Sequence, residues 1–489
     1  MEIVGRECKH ITKIPESERN PDAFVIKEVL HYEDGSTKPN LKVLTNFKRP
    51  FYITKEHYRR NKQKKESEEL DRLNVHYSTD SQLGRNIAIR LGSMYVGKTN
   101  IRDVRDSPYV YGIDVSTKAI IKKKYMDKYP DFSTPNTVAA LDIENDVTTE
   151  EITVISLVMN DKIYTVMTEK FLAQKGITNP KEKLDYLFEK YVPDSDIKNN
   201  ASRTYEVVPN EMDAIRAVLK VSHEWKPDFI AIWNITYDIN FMLNVCKKYG
   251  VDPKDIFSSP EVPKQLRYFK FKEGMKQKLT ESGKYTPINV EEQWHYIETP
   301  SYSYWIDAMS AHRFIRVGGK SVPGGYSLDN ILEQELGDKF KKLKFEEDIR
   351  YKGIEWHKYM SKEHPLKYVI YNIWDCASMI ELDKKTKDLS HVLSLLSGIS
   401  PYDIFNSGPK KIIDSMHFFY LERDRVLAAK PTVQPEDKLL GLENWIVLLP
   451  AHRIKNKGLQ FIEEDPALHT NIREAVYDAD KKLSRTKVI

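Results

Sequence analysis

Acids carry the first chemical signal in this chain. Asp142 and Glu144 stand two residues apart at the end of the apolar run VAALDIEND. The period of two in a strand puts both carboxylates on one face, a few ångströms apart, while Leu141 and Ile143 anchor the opposite face. Two anions so close repel, and each raises the pKa of the other unless a cation shares them. An ordinary surface strand is the plainer alternative for an Asp-x-Glu pair. Asp238 follows the apolar strand Phe229–Trp233 and the segment Asn234-Ile235-Thr236-Tyr237, where the carboxyl end of a strand meets the start of a helix. Open α/β sheets hold ligands at such ends, although an Asp there also serves as a simple cap or dipole partner. Tyr371 and Asp375 lie four apart in YVIYNIWDCASMIELDKK, so they share one helix face. Val369, Ile370 and Ile373 make that stretch apolar. A carboxylate buried there needs a partner, whether a metal ion, a basic side chain or a backbone donor.

Positioning these residues takes a sheet with helices on its faces. The runs EITVISLVM and KIYTVMT alternate as strands and meet at Asn160-Asp161, a tight hairpin signal. Asn210 reads as the N-cap of an amphipathic helix, EMDAIRAVLKVSHEW. A second helix runs from about Asp238 to Tyr249, with Gly250 as its stop. A strand meander, a helix, a strand and a helix make a mixed sheet of the α/β class. A long helix is expected over residues 363–387. Between them, residues 264–305 alternate basic and aromatic side chains around Gly274 and Gly283. That pattern predicts a long β-hairpin standing off the sheet.

Residues 1–137 read as a mixed α/β region with strand-like runs at Ala23–Ile26 and Asn86–Ile89. Between these runs lies KRPFYITKEHYRRNKQKK, Lys48 to Lys65, in which Glu56 is the single acid. A solvated helix of mixed charge and a phosphate-contacting surface both remain open for it. The whole chain has 489 residues, room for two to four domains. Charged residues make up 30% and apolar residues 40%, which excludes disordered and collagen-like chains. No apolar run reaches the ~18 residues of a membrane span, and MEIVGRECKH has no signal-peptide core. Cys8, Cys246 and Cys376 form neither a disulfide framework nor a Cys-x-x-Cys zinc pattern. A cytoplasmic location, in a host cell if the source is viral, is the expectation. Lys plus Arg (76) nearly balance Asp plus Glu (72), for a net +4, so position rather than total charge must carry any nucleic-acid signal.

LDIEND, WNITYDINFM and YNIWDCASMIELD resemble, in order and spacing, the three exonuclease motifs of family B DNA polymerases. Asn234 stands four residues before Asp238, where many members of that family have five. GGYSLDNILEQELG (Gly324–Gly337) and SPYDIFNSG (Ser400–Gly408) are similar to segments of the tailed-phage replicative type. The resemblance covers roughly residues 75–480. It implies an α+β N-terminal domain over 1–137, an RNase H-like 3′–5′ exonuclease domain of the DEDD type over 138–387, and a linker leading to a truncated palm over 388–489. It also implies two Mg²⁺ or Mn²⁺ ions, with Asp142 bridging both. Glu144 and Asp375 complete the site of the attacking water, Asp238 holds the second cation, and Tyr371 orients the nucleophile. Asn234, Tyr237, Lys270 and Lys272 are the DNA-binding candidates, and the hairpin corresponds to an element that helps separate a mispaired primer end.

The palm of that family begins with a strand ending in Asp and followed by Tyr-Pro. REAVYDAD (Arg473–Asp480) resembles the strand, with Asp480 as a candidate palm metal ligand, but KKLSRTKVI follows it. Neither Lys-x-x-x-Asn-Ser-x-Tyr-Gly nor Asp-Thr-Asp occurs in the sequence. The expectation is the proofreading part of a polymerase, assembling with a second polypeptide that carries palm, fingers and thumb. DNA, a sliding clamp and other replisome proteins are the further partners implied, and no membrane. A free-standing exonuclease and a non-catalytic DNA-binding or assembly subunit are the alternatives.

Overall fold

The computed structural model describes residues 2–15, 22–60, 64–92, 101–275, 277–279, 283–288, 293, 295–317, 323–346, 351–392, 408–429, 445–446 and 487–488. The SPYDIFNSG segment up to Ser407 and Asp480 lie outside them.

In the N-terminal region β1 (Ile3–Lys13), β2 (Ala23–Tyr32) and β3 (Thr37–Thr45) form an antiparallel sheet in that order. The Ala23–Ile26 run is the buried start of β2, as its composition predicts. Next come β4 (Arg49–Thr54), β5 (Ser67–Glu69), β6 (Leu73–Ser78) and β7 (Val110–Tyr111), of which β6, β4 and β7 make a second sheet. The start of the basic stretch, Arg49–Thr54, is therefore a strand and not a solvated helix. Phe51 and Ile53 alternate into a core, and Arg49 is itself buried, donating to the Gly112 carbonyl at 2.9 Å. The Asn86–Ile89 run is a second correction, since it belongs to the helix Leu83–Arg90. Leu83 and Ile87, four apart, are buried while Ile89 faces solvent. A four-residue window alternates by chance; the i, i+4 pair beyond it decides.

The large sheet starts with the antiparallel meander β8 (Val138–Asn145), β9 (Ile152–Val158) and β10 (Lys162–Thr168). Its second turn closes at Asn160-Asp161, where Met159 N–H donates to the Lys162 carbonyl at 2.8 Å. β11 (Ser202–Val208) runs parallel to β10, and β12 (Phe229–Ile232) parallel to β8. Then follow β13 (Lys270–Lys272), β14 (Gln277–Leu279), β15 (Tyr285–Pro287), β16 (Tyr296–Glu298) and β17 (Tyr304–Asp307). The eight strands lie in the order β11-β10-β9-β8-β12-β17-β16-β13. This is a mixed α/β sheet, as expected. The predicted hairpin is shorter than 264–305. Its base, β13 with β16, is the sheet's own edge, and only β14 with β15 forms a separate two-stranded ribbon. Tyr304 and Trp305 belong to β17, inside the sheet. Their neighbours explain the shift: Trp305 is fully buried against Phe257, as a hairpin arm in solvent could not be.

Period-two alternation sends the two halves of each strand's side chains to different cores. Ala139, Leu141 and Ile143 pack with the helices Glu211–Trp225 and Ile235–Lys248. Val138 and Ala140 face the other way, toward the helices Leu328–Leu336, Ile354–Glu363 and Pro365–Thr386. Burying one Leu or Ile contributes about 1.5–3 kcal/mol, so each face is held by many such residues. Residues 408–429 pack back on the N-terminal region. β18 (Arg425–Leu427) pairs with β5, and Asp414, on the helix Gly408–Leu421, accepts from Ser116 N–H at 2.7 Å. Among the described residues no helix is long and apolar enough to cross a membrane.

Candidate functional site

The end of β8 and one face of the helix Pro365–Thr386 meet above the middle of the sheet. Each carboxylate there follows from a local rule. Asp142 and Glu144 share the face of β8 that looks toward that helix, because the apolar Leu141 and Ile143 are claimed by the other core. Asp375 comes from the helix, itself 22 residues long, started by Pro365 in its first turn and stopped by Lys387 in the left-handed region. One ligand oxygen from each of Asp142, Glu144 and Asp375 lies within 4.8 Å of the others. Glu144 and Asp375 are buried, and Asp142 keeps a partly exposed flank.

Asp238 sits beside this trio without belonging to it. The helix carrying it begins at Ile235, three residues before the expected start, so Asp238 lies buried in the first turn and not at the cap. Its Oδ1 accepts from the backbone N–H of Ile143 at 3.1 Å, tying the helix to β8. Burial and crowding with like charge govern the electrostatics. Burial, then Asp238, Glu144 and Asp375, push the Asp142 carboxyl well above its usual range. Burial raises Asp238 to about 8, against the Ile143 N–H, and raises Asp375 in spite of Lys342.

Four partners were not singled out from the sequence. Lys342 Nζ donates to Asp375 Oδ2 and to the Tyr371 hydroxyl, both at 2.7 Å. Burial favours the neutral amine, yet Asp375 and Tyr371 outweigh it and hold the Lys342 charge well above its ordinary range. Asn372 Nδ2 donates to Asp142 Oδ2 at 2.8 Å. The Tyr368 hydroxyl donates to Glu144 Oε2 and lies within hydrogen-bond distance, 2.9 Å, of His357 Nδ1. Tyr368 and Asn372 were legible in principle, since with Tyr371 and Asp375 they stand at i, i+3, i+4 and i+7 on one face. Lys342, in the run KKLK, and the lone His357 carry no local signal.

The proposed DNA-binding residues are dispersed around this centre. Asn234 is exposed at the start of its helix with no capping hydrogen bond. Tyr237 is about half exposed, and its hydroxyl donates to Asn145 Oδ1 at 3.0 Å. Lys270 and Lys272 point to solvent from β13 while Phe271 packs inward. Lys272 is already paired with Glu298 at 3.1 Å, which reduces its free charge. The GGYSLDN segment is held next to Asn234 through Trp233, whose Nε1 donates to the Tyr326 carbonyl at 3.0 Å.

The donor set fits a hard divalent cation, which takes oxygen ligands. Asp375 Oδ1 and Asn372 Oδ1 are buried and have no hydrogen-bond partner, so two oxygens on residues of this centre keep unsatisfied lone pairs. An acidic cluster that can hold a metal is thus present. Neither the protein-family models nor the curated proteins compared with the sequence give a match.

Proposed function

We propose that this chain is a metal-dependent 3′–5′ DNA exonuclease with an RNase H-like catalytic domain, related to the proofreading part of family B DNA polymerases. The observation that carries the reading is the convergence of Asp375 with the distant pair Asp142 and Glu144 onto one spot, with Asp238 alongside. The strand order around β8, with β9 antiparallel and β12 and β17 parallel, supports the fold reading.

Mg²⁺ or Mn²⁺, when bound, would stabilise charge on the attacking and leaving oxygens of the phosphodiester. Asp142, Glu144 and Asp375 would hold the cations, with Asp238 in support through the β8 end it braces. Asp375 has Oδ2 committed to Lys342 and Oδ1 free, so it can serve both at once. Lys342 anchors the oxygen of Tyr371 and Asp375 Oδ2 together, each at 2.7 Å, so one ammonium ties the phenol to the carboxylate. The phenol is thereby held at a fixed angle, as a group that orients a water must be. Tyr237 offers an exposed ring for a terminal base to stack on. Single-stranded and primer-template DNA are the proposed substrates, and a polypeptide with palm, fingers and thumb is the proposed partner.

The decisive experiment compares the parent chain with Asp142→Ala on a labelled single strand in Mg²⁺. The variant should lose at least ~10³-fold in rate, the several kcal/mol expected of cation-assisted phosphoryl chemistry, with its circular dichroism unchanged. Degradation at the parent's rate would sink the assignment.

A further inference from the structure

We infer that Tyr368, backed by His357, is a positioning residue that presets Glu144 for cation binding; the inference rests on the metal-site reading above. A carboxylate's last torsion is broad and roughly two-fold, so backbone placement alone leaves the oxygens of Glu144 free to rotate. Repulsion from Asp142 and Asp375 would turn them outward before any cation arrives. Two donors from one helix prevent that. Tyr368 holds Glu144 Oε2, and Asn372, one turn further along, holds Asp142 Oδ2. The i, i+4 step of the helix thus matches the i, i+2 step of β8, and each donor fixes one carboxylate.

Tyr368 has little freedom of its own. Its ring is fully buried and lies parallel to that of Tyr371, at an interplanar angle of 3° and a centroid distance of 6.1 Å. Trp356 packs against both rings, 6.1 Å from Tyr368 and 5.0 Å from Tyr371. His357, the next residue on that helix, meets the Tyr368 ring edge-on and supplies its Nδ1 to the hydroxyl. With the phenol's single hydrogen directed at Glu144, His357 can bond the hydroxyl only as the Nδ1–H tautomer, which donates to the phenol oxygen. Tyr368 touches neither substrate nor cation in this arrangement; it acts through the carboxylate. Partners of this kind behind metal ligands are worth about 10–100-fold in affinity.

The test is a Mn²⁺ titration of the full chain without DNA, followed by electron paramagnetic resonance, alongside Mg²⁺-dependent degradation of a single strand. Tyr368→Phe removes only the hydroxyl. It should weaken Mn²⁺ binding by about tenfold and shift the Mg²⁺ midpoint of degradation to match, while KM for DNA stays put and saturating metal restores most of kcat. Should Tyr368→Phe not fold, the pair at the half-buried His357 replaces it. His357→Gln, which keeps a donor, should retain more affinity than His357→Ala. Mn²⁺ binding within twofold of the parent in both Tyr368→Phe and His357→Ala would overturn the proposal. A parent that binds Mn²⁺ but leaves DNA intact would defeat the nuclease reading alone, with the Tyr368 effect still measurable. A parent that binds no Mn²⁺ would defeat both.

Discussion

Asp142 is held where its charge is least welcome. Burial and three neighbouring acids raise its carboxyl well above the usual range, and Lys342 offsets only part of that. A folded pKa above the unfolded one means that stability is fully present below the unfolded value. It is then lost as pH rises through the folded value. Without metal, the parent should therefore melt at a lower temperature at pH 8 than at pH 5 from this site's contribution. Asp142→Asn, which keeps an oxygen for Asn372, should melt higher than the parent in chelator at pH 8. Each 1 kcal/mol relieved corresponds to roughly 2–4 °C for a domain of this size. Mg²⁺ should raise the parent's midpoint and leave the variant's nearly unchanged; a variant that gains as much from Mg²⁺ as the parent contradicts the role given to Asp142. Asp142 with Glu144, and Tyr371 with Asp375, were legible because each pair sat in a short pattern of period two or 3.6 beside an apolar anchor, and Asp238 because it follows an apolar strand. Lys342 was not, because its 33-residue separation from Asp375 is bridged by tertiary packing alone.

Helices and strands were legible where their signals are local. The Asn210 cap, with Oδ1 accepting from Asp213 N–H at 3.0 Å, and the Gly250 stop, at φ +67°, fall where the sequence puts them. The Asn86–Ile89 helix and the inner strand at Tyr304 were not, because four or five residues cannot display which core they face. Two glycines separate backbone strain from packing. At Gly250 an added Cβ meets nothing within 4 Å, so Gly250→Ala should cost only the left-handed penalty, about 1–2 kcal/mol. At Gly324, φ +80°, the Cβ would fall 2.5 Å from Asn330 Oδ1. Asn330 itself closes the loop, donating to the Pro323 carbonyl at 2.8 Å and to that of Gly325 at 2.6 Å. Gly324→Ala should therefore cost about 1 kcal/mol more than Gly250→Ala, one net hydrogen bond's worth. Urea melts measure the difference. Hydrogen exchange should show faster opening of Leu328–Leu336 in Gly324→Ala alone; equal costs and equal exchange would show that the loop absorbs the methyl freely.

Across the whole molecule, the N-terminal sheet is joined to the half that carries the acidic cluster by a buried ion pair that no sequence pattern announces. Lys27 of β2 reaches Asp228, just before β12, with Nζ 2.9 Å from Oδ1 and 2.9 Å from the carbonyl oxygen. Both side chains are buried, and the ammonium lies 4.4 Å from the centroid of the Tyr302 ring. Asp228 Oδ2 also accepts from Thr137 N–H at 2.7 Å, at the entry to β8. The pair thus braces the strand that carries Asp142. Burial raises the Asp228 carboxyl, but Lys27 and Lys9 outweigh it and the net shift is downward; for Lys27 burial wins over Asp228 and the ammonium is depressed. A depressed carboxyl contributes stability above its unfolded pKa and loses it as pH falls through the folded value. Removing one partner leaves the other charge stranded, which costs about 3–5 kcal/mol, whereas replacing both with neutral groups is often close to neutral. Asp228→Asn and Lys27→Met should each destabilise the chain by that order at pH 7, and the double variant should recover most of the loss. The penalty of Asp228→Asn should begin to shrink as pH falls below about 3.9, the unfolded value, and vanish once pH passes the parent's depressed folded value. A double-mutant cycle by urea denaturation reads the coupling directly. Strictly additive losses would mean that the two halves are held by the apolar contacts of Ile14, Ala23 and Val25 with Val262 and Leu266, with the ion pair contributing nothing to the joint.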